Sequence, residues 1–187
     1  MLTEDQERLL VDRLGKKEQS AWKEFYDFYS NSLTYACMRY LDKQDDVEDV
    51  LQESFVKMYY AIGSFDYRGK GALQAWSTRI VVNEALKFIR KEKKHQVIYN
   101  QDNIVDIADE DEPEFDGLSQ EEIFAMIREL PEGYRTVFNL YVFEQKSHKE
   151  IGHLLGIAEN SSASQFHRAK SILSQRIREF KKLKVAL

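Results

Sequence analysis

Asp45, Asp46 and Asp49 form a DDxxD string inside the stretch DDVEDVLQESFVKMYYAIGSFD. Carboxylates at that spacing on a helix can hold magnesium against a diphosphate. The same stretch places Val47, Val50, Leu51, Phe55, Met58, Tyr59 and Ile62 within one helical face. Asp45, Asp49, Gln52 and Glu53 fall on the opposite face. Three readings stand side by side for that stripe. It is a solvated face, a magnesium site, or a docking surface whose charge steers a basic partner and fixes its register.

A second group follows in SFDYRGKGALQAWSTRIVVNEALKFIRKEKK. Gly69 and Gly71 allow close backbone approach to a ligand. Arg68, Lys70, Arg79, Lys87, Arg90, Lys91, Lys93 and Lys94 cluster as phosphate-neutralising charge. Trp76, at helical spacing with Ile80 and Asn83, reads as packing. A solvated basic helix end is the plain alternative; the neighbouring aromatic-rich helix favours nucleic acid.

The third group is SHKEIGHLLGIAENSSASQFHRAK. Ser147 and Glu150 match a capping box. Ile151, Leu154 and Leu155 form one apolar face, Gly156 suits a left-handed turn, and Ile157 plugs the corner. The next helix has Ala163, Phe166, Ala169, Ile172 and Leu173 inward. Outward lie Glu159, Ser161, Ser162, Ser164 and Gln165, then Arg168 and Lys170. Short polar groups at a helix start, with basic ones beyond, suit base edges and phosphates in a major groove. A plain helical hairpin is the alternative. His148 and His153 are five apart and share no helix face, so they make no metal pair; Cys37 sits among aromatics as inert core.

These groups need helices to position them. The chain has 187 residues, 43% apolar and 32% charged, with only 2 Pro and 8 Gly. Helical periods predict elements at 4–14, 19–41, 45–62 and 73–94, with a glycine-bearing turn at 63–71. They continue at 120–129, 132–144, 149–155 and 160–182. Leu130-Pro131 ends one of these, since the residue before Pro disfavours helix. The fold class is all-α: two small helical domains, 1–97 and 119–187, joined by an acidic linker at 98–118. That linker carries 8 acidic and no basic side chains, whereas 1–97 is balanced and 119–187 is net +3. The overall charge of -5 therefore belongs to the linker, and the remainder is slightly basic. One lone cysteine points to a reducing compartment, and the apolar runs are too short to span a bilayer. The N-terminal stretch has no signal-peptide pattern.

At this point a resemblance becomes definite. Leu130-Pro131, Glu150-Ile151, Leu155-Gly156 and Arg168-Ala169 resemble region four of bacterial sigma factors, which reads the minus-thirty-five promoter element. Asp49, Gln52 and Glu53 match the Asp-x-x-Gln-Glu core-binding segment of sigma region two. Trp76, Ile80, Asn83, Leu86 and Arg90 match its minus-ten helix. The two-domain build is similar to the extracytoplasmic-function (ECF) class, the smallest in the family.

The resemblance implies a non-enzymatic, cytoplasmic protein with no cofactor, no metal and no membrane insertion. Its implied partners are core RNA polymerase, promoter DNA and an anti-sigma factor. The implied sites are Asp45, Asp49, Gln52 and Glu53 for polymerase. They are Arg68, Lys70, Trp76, Arg79, Asn83, Lys87 and Arg90 for the minus-ten element. They are Glu159, Ser161, Ser162, Ser164, Gln165, Arg168 and Lys170 for the minus-thirty-five element. A flipped base would sit beneath the 63–71 loop, and the linker would lie in the polymerase's nucleic-acid channel. Three departures stand out. Lys87 replaces a common Asp, and Ala163 and Gln165 replace common basic residues. Ala158 replaces a common Ser cap, leaving Asn160 or Ser161 to cap the recognition helix. Two other readings remain: a one-component helix-turn-helix transcription factor with an N-terminal regulatory domain, and a magnesium-dependent isoprenoid-type enzyme using Asp45, Asp46 and Asp49.

Overall fold

The computed structural model describes residues 2–95 and 113–185, with side chains described for 2–92 and 113–184. Most of the expected acidic linker, and the side chains of Lys93 and Lys94, lie outside the described residues. Within them the backbone is helix and turn, without a strand. One compact unit, Met1–Gln96, holds α1 (Glu4–Gly15), α2 (Gln19–Met38), α3 (Gln44–Ala61), a 3-10 turn (Ile62–Ser64) and α4 (Ala72–His95). The other, Val97–Leu187, holds α5 (Gln120–Arg128), α6 (Glu132–Val142), α7 (His148–Leu155) and α8 (Glu159–Val185).

In the first unit α2 packs against α1, α3 and α4. Its buried residues Ala21, Phe25, Tyr29, Leu33, Ala36 and Cys37 recur every three or four positions, so one stripe faces the core. They are joined by Leu10 and Leu14 of α1, Val47, Val50 and Met58 of α3, and Leu73, Val81, Ala85 and Ile89 of α4. Each large apolar side chain buried this way contributes about 1.5–3 kcal/mol before chain entropy is subtracted. Burial pushes the Cys37 thiol up to about 12, which keeps it protonated and unreactive.

Two expectations fail here for packing reasons. The second helix was expected to reach residue 41 but stops at Met38. The N–H groups of Tyr40 and Leu41 both bond the Cys37 carbonyl, at 2.9 and 3.2 Å, and this turn tucks both side chains into the core. Tyr59, expected on the buried face of α3, is 36% exposed. It lies at the edge of that face, one position round from the fully buried Met58, with its ring 5.2 Å from Trp22.

In the second unit α8 packs against α5, α6 and α7. Met126, Ile127, Leu130, Phe138, Ala169, Leu173 and Ile177 make the core, flanked by Phe115, Leu118, Ile123, Phe166 and Phe180. Helix α5 starts from a Ser119–Glu122 capping box. Its last carbonyls are met by side chains from other helices. Arg135 of α6 donates to the Arg128 carbonyl at 2.6 Å, and Arg176 of α8 donates to those of Met126 and Glu129 at 3.1 and 3.2 Å. Cations at a helix C-terminus satisfy its orphan acceptors and oppose its dipole.

Helix α6 ends at Val142, two residues before the expected 144. Gln145 adopts a left-handed φ of 52°, and the Lys146 N–H closes on the Leu140 carbonyl at 3.0 Å. This is a stop usually made by glycine. Helix α8 begins at Glu159, and the Ser162 N–H already bonds the Ala158 carbonyl at 3.0 Å. Asn160 and Ser161, expected as caps, therefore lie inside its first turn, and Ala158 before it has no side-chain oxygen to offer. The helix runs to Val185, past the expected end at 182.

Candidate interaction surfaces

On α3, Asp45, Asp49, Gln52 and Glu53 are all exposed. Asp46 is half-buried instead. Neighbouring helix positions diverge by about a hundred degrees, so the DDxxD string does not converge on one point. Among the described residues no group of three or more His, Cys, Asp or Glu is placed to hold a metal ion. Asp45, Asp46 and Asp49 therefore form no joint three-carboxylate site, Asp46 being the one that turns away from the face that Asp45 and Asp49 share.

Beside the acidic stripe lies a feature that sequence reasoning missed. Trp22, Phe55, Val56, Tyr59 and Tyr60 line an open apolar groove, with Lys17 and Gln19 at its rim. Tyr60 is 75% exposed and Val56 48%. Lys17, in a left-handed φ of 60°, sets its ammonium 4.7 Å from the Tyr59 ring centroid and 5.7 Å from that of Tyr60. Val56 stands three to four residues beyond Glu53 and Gln52, and Tyr60 seven to eight, so stripe and groove share one side of α3. The periodic signal was present in the sequence, but single exposed aromatics do not announce a groove.

Lys57 of α3 pairs with Glu84 of α4 at 2.6 Å, and that hydrogen bond holds the ammonium above its ordinary range. Lys87, the basic departure in α4, meets the same carboxylate at 3.6 Å.

The loop before α4 and the helix itself carry the second surface. Arg68 and Lys70 are exposed, and Arg68 meets Asp66 at 3.1 Å. Arg79, Asn83, Lys87 and Arg90 are exposed along α4 at steps of four, four and three, which aligns them on one side. Trp76 heads that row half-buried, its ring 5.0 Å from Phe65. It is a packed residue with one side open. Gly69 and Gly71 take φ of 113° and 85°, a left-handed backbone that L side chains rarely adopt. The group that holds this loop was not found from sequence. Glu7 of α1 is 2% exposed, and its carboxylate accepts the Gly71 N–H at 2.6 Å and the Leu73 N–H at 3.0 Å.

The third surface is the α7–α8 pair. Ser147 and Glu150 form the expected box: Glu150 accepts the Ser147 N–H at 2.8 Å, and Ser147 Oγ accepts the Glu150 N–H at 3.3 Å. The backbone N–H of Ser147 keeps the Glu150 carboxyl below its usual range, and that of Ser119 does the same for Glu122. Gly156 is left-handed at φ 70°. Gly152 has its own reason: a Cβ there would lie 2.8 Å from the Ile157 carbonyl oxygen.

On α8, Ser161 and Ser164 are exposed and Arg168 half-buried, at spacings that give one side of the helix. Arg168 donates to the Tyr134 hydroxyl at 3.0 Å. Ser162, expected outward, is fully buried, its Oγ 3.1 Å from His148 Nδ1. One step along a helix from an exposed Ser161 points a side chain toward the core. His148 in turn stacks on Tyr141 at 4.7 Å, making a wedge between α6, α7 and α8. Gln165 is half-buried beside α6, its Oε1 3.4 Å from where a Cβ on Gly133 would stand. Glu159 and Lys170 lie on another flank, Lys170 with its nitrogen 5.5 Å from the Phe166 ring centroid. The seven residues expected together therefore do not form one face.

Comparison with known proteins bears on both units. The family model "Sigma-70 region 2" matches residues 25–95 and "Sigma-70, region 4" matches residues 120–173, together about two thirds of the chain. The "ECF RNA polymerase sigma-E factor" of Haemophilus influenzae is 29% identical over 182 residues, covering 91% of this chain and 95% of its own. "ECF RNA polymerase sigma factor SigW" of Bacillus subtilis is 29% identical, covering 90% of this chain and 95% of its own. The solved structure of CnrH with the cytosolic domain of CnrY aligns with a TM-score of 0.48 at 20% identity, over 92% of this chain and 97% of that one.

Proposed function

The chain belongs to the sigma-70 family, in its ECF class, and from that premise we propose which of its surfaces serve which step. As a sigma factor it binds core RNA polymerase and directs initiation at promoters by reading their minus-ten and minus-thirty-five elements. The stripe of Asp45, Asp49, Gln52 and Glu53, with the groove of Val56 and Tyr60, is the polymerase-docking face. An acidic edge beside exposed apolar side chains suits a partner that offers both basic and apolar groups. The 63–71 loop and the α4 row of Trp76, Arg79, Asn83, Lys87 and Arg90 take the opened minus-ten strand. Ser161, Ser164 and Arg168 of α8 take the minus-thirty-five duplex.

The observation that supports this assignment most is that an exposed basic row and a helix-turn-helix occur on separate units of one chain, inside the region two and region four matches respectively. Neither surface needs a strong basic field of its own, because polymerase supplies the remaining affinity. The family works by binding, and the proposal assigns no catalytic step to the chain. A cytoplasmic location and control by an anti-sigma factor belong to the same proposal; among the described residues no helix is long and apolar enough to cross a membrane.

The test is co-purification of core polymerase with the tagged chain. Glu53→Lys, at an exposed position, should abolish it while circular dichroism stays unchanged. Full recovery of polymerase by this variant moves the docking face elsewhere.

A further inference from the structure

We infer that Glu7 is a positioning residue for capture of the minus-ten strand, an assignment that rests on the reading of the 63–71 loop given above. Glu7 lies in α1, outside the loop and helix assigned to DNA. Its carboxylate is nonetheless buried, at 2% exposure. Burying a carboxylate is costly unless donors replace the lost water. Here three donors converge: Oε2 takes the Gly71 N–H at 2.6 Å and the Tyr67 hydroxyl at 3.4 Å, and Oε1 takes the Leu73 N–H at 3.0 Å.

Two of these donors flank Ala72, the first residue of α4. The first N–H groups of a helix have no acceptor within it, and an N-cap side chain usually provides one. Gly71 stands at that position and has no side chain. Glu7 replaces it from 64 residues away and places a negative charge at the positive end of the α4 dipole. The loop is also secured at its tip. The Tyr67 hydroxyl reaches the Glu4 carbonyl at 3.2 Å, and Arg8 sits 5.7 Å from the Tyr67 ring centroid. Helix α1 thus grips the loop through Glu4, Glu7 and Arg8.

The consequence is pre-organisation. A loop with two left-handed glycines loses conformational entropy when a bound strand orders it. A loop already fixed by a buried carboxylate does not lose it again on binding. Glu7 therefore sets affinity for the opened strand without touching it, by holding the Gly71 N–H at the turn into α4.

The experiment uses holoenzyme assembled from the full chain. The probe is the single-stranded non-template oligonucleotide of a promoter selected from random duplexes by run-off transcription with the wild type. Glu7→Gln keeps the volume but turns one acceptor into a donor facing an N–H. Single-strand affinity should fall about tenfold, the size expected for losing a hydrogen bond to a charged group. Holoenzyme yield should hold, and the Gly71 and Leu73 amides should exchange with solvent faster than the rest of α4. Unchanged affinity despite faster exchange overturns the assignment. So does a loss of affinity matched by an equal loss of holoenzyme, which is the mark of a merely structural residue.

If Glu7→Gln fails to fold, Tyr67→Phe carries the test: it removes the hydroxyl's long contacts to Glu7 and to the Glu4 carbonyl and should weaken the strand about twofold, with wild-type affinity overturning the idea. A companion Arg68→Ala, Lys70→Ala variant separates the two levels. If it binds the strand as the wild type does, the minus-ten reading falls and Glu7 with it. If it is weakened while Glu7→Gln is not, only Glu7 falls.

Discussion

In the second unit, Ser147 and Glu150 close the start of α7 across three residues. In the first unit, the start of α4 is closed by Glu7 from 64 residues away. Both devices satisfy the same need, the orphan N–H groups of a helix that presents a surface. They differ in what else must be folded for them to work. The capping box is complete as soon as one turn forms. The Glu7 bridge exists only once α1 has packed against the rest of its unit. The helix-turn-helix should therefore respond mainly to changes near its own turn, while the loop responds to changes on a distant helix.

The largest effect expected from breaking this contrast is at Gly152. A side chain there meets backbone, with the Ile157 oxygen at 2.8 Å and the Glu159 nitrogen at 3.4 Å, so no rotamer relieves it. Gly152→Val should destabilise the second unit by about 2 kcal/mol or more. Scanning calorimetry should show that unit melting earlier and the first unit unchanged, with polymerase still recovered in a pull-down. A joint fall of both transitions would mean the units are not independent in solution.

The capping box comes next. Ser147→Ala should cost about 1 kcal/mol, and Ser119→Ala a similar amount. Acid should act on the same bonds. Both Glu150 and Glu122 sit below the ordinary glutamate value of 4.5 when folded. Their contribution is therefore fully present above that value and is lost as pH falls through the lower folded one. The melting temperature of the second unit should drop in that acid window, and Glu150→Gln should flatten the drop. Glu150 is exposed and Glu122 only half-buried, so the change is small. An acid limb that is identical in Glu150→Gln removes the box as its cause.

The smallest effects separate residues on α8. Ser164→Ala should relax preference at one base of the minus-thirty-five element by about 0.5–1.5 kcal/mol. Gln165→Ala should leave every base preference intact, because its amide lies beside Gly133 of α6. Arg168→Ala, on the same side as Ser161 and Ser164, should weaken all sequences alike and reduce the log-log salt slope by roughly one unit. These three are read from salt titrations of holoenzyme binding with each base varied. A base preference that follows Gln165 instead would mean the helix turns on meeting DNA.

What the sequence by itself determined are the features whose partners lie within a turn or two. Residues Ser147 to Glu150, the left-handed Gly156, the apolar periods of α2 and α8 and the exposed stripe of α3 are all local, because helix geometry fixes which side chains at three and four residues apart are neighbours. The other two capping boxes, Thr3 with Gln6 and Ser119 with Glu122, carry the same local signal but were found only in the structure. The sigma-factor motifs were legible for a related reason, since they are short strings on single helices.

What only tertiary structure decided are the contacts closed over long separations. Helical spacing alone does not say that Ser162 meets His148, that Gln165 turns to Gly133, or that Arg176 satisfies the end of α5. Each depends on the angle at which one helix crosses another. Nor does it say that the third carboxylate in TEDQERLL, Glu7, is buried while the first two, Glu4 and Asp5, are not. A carboxylate so placed reads as solvent-facing, and burial is the usual exception for that residue type. Glu7 is that exception because the folded chain brings three donors to it, and those donors come from a loop and the helix start after it, 60 or more residues further on.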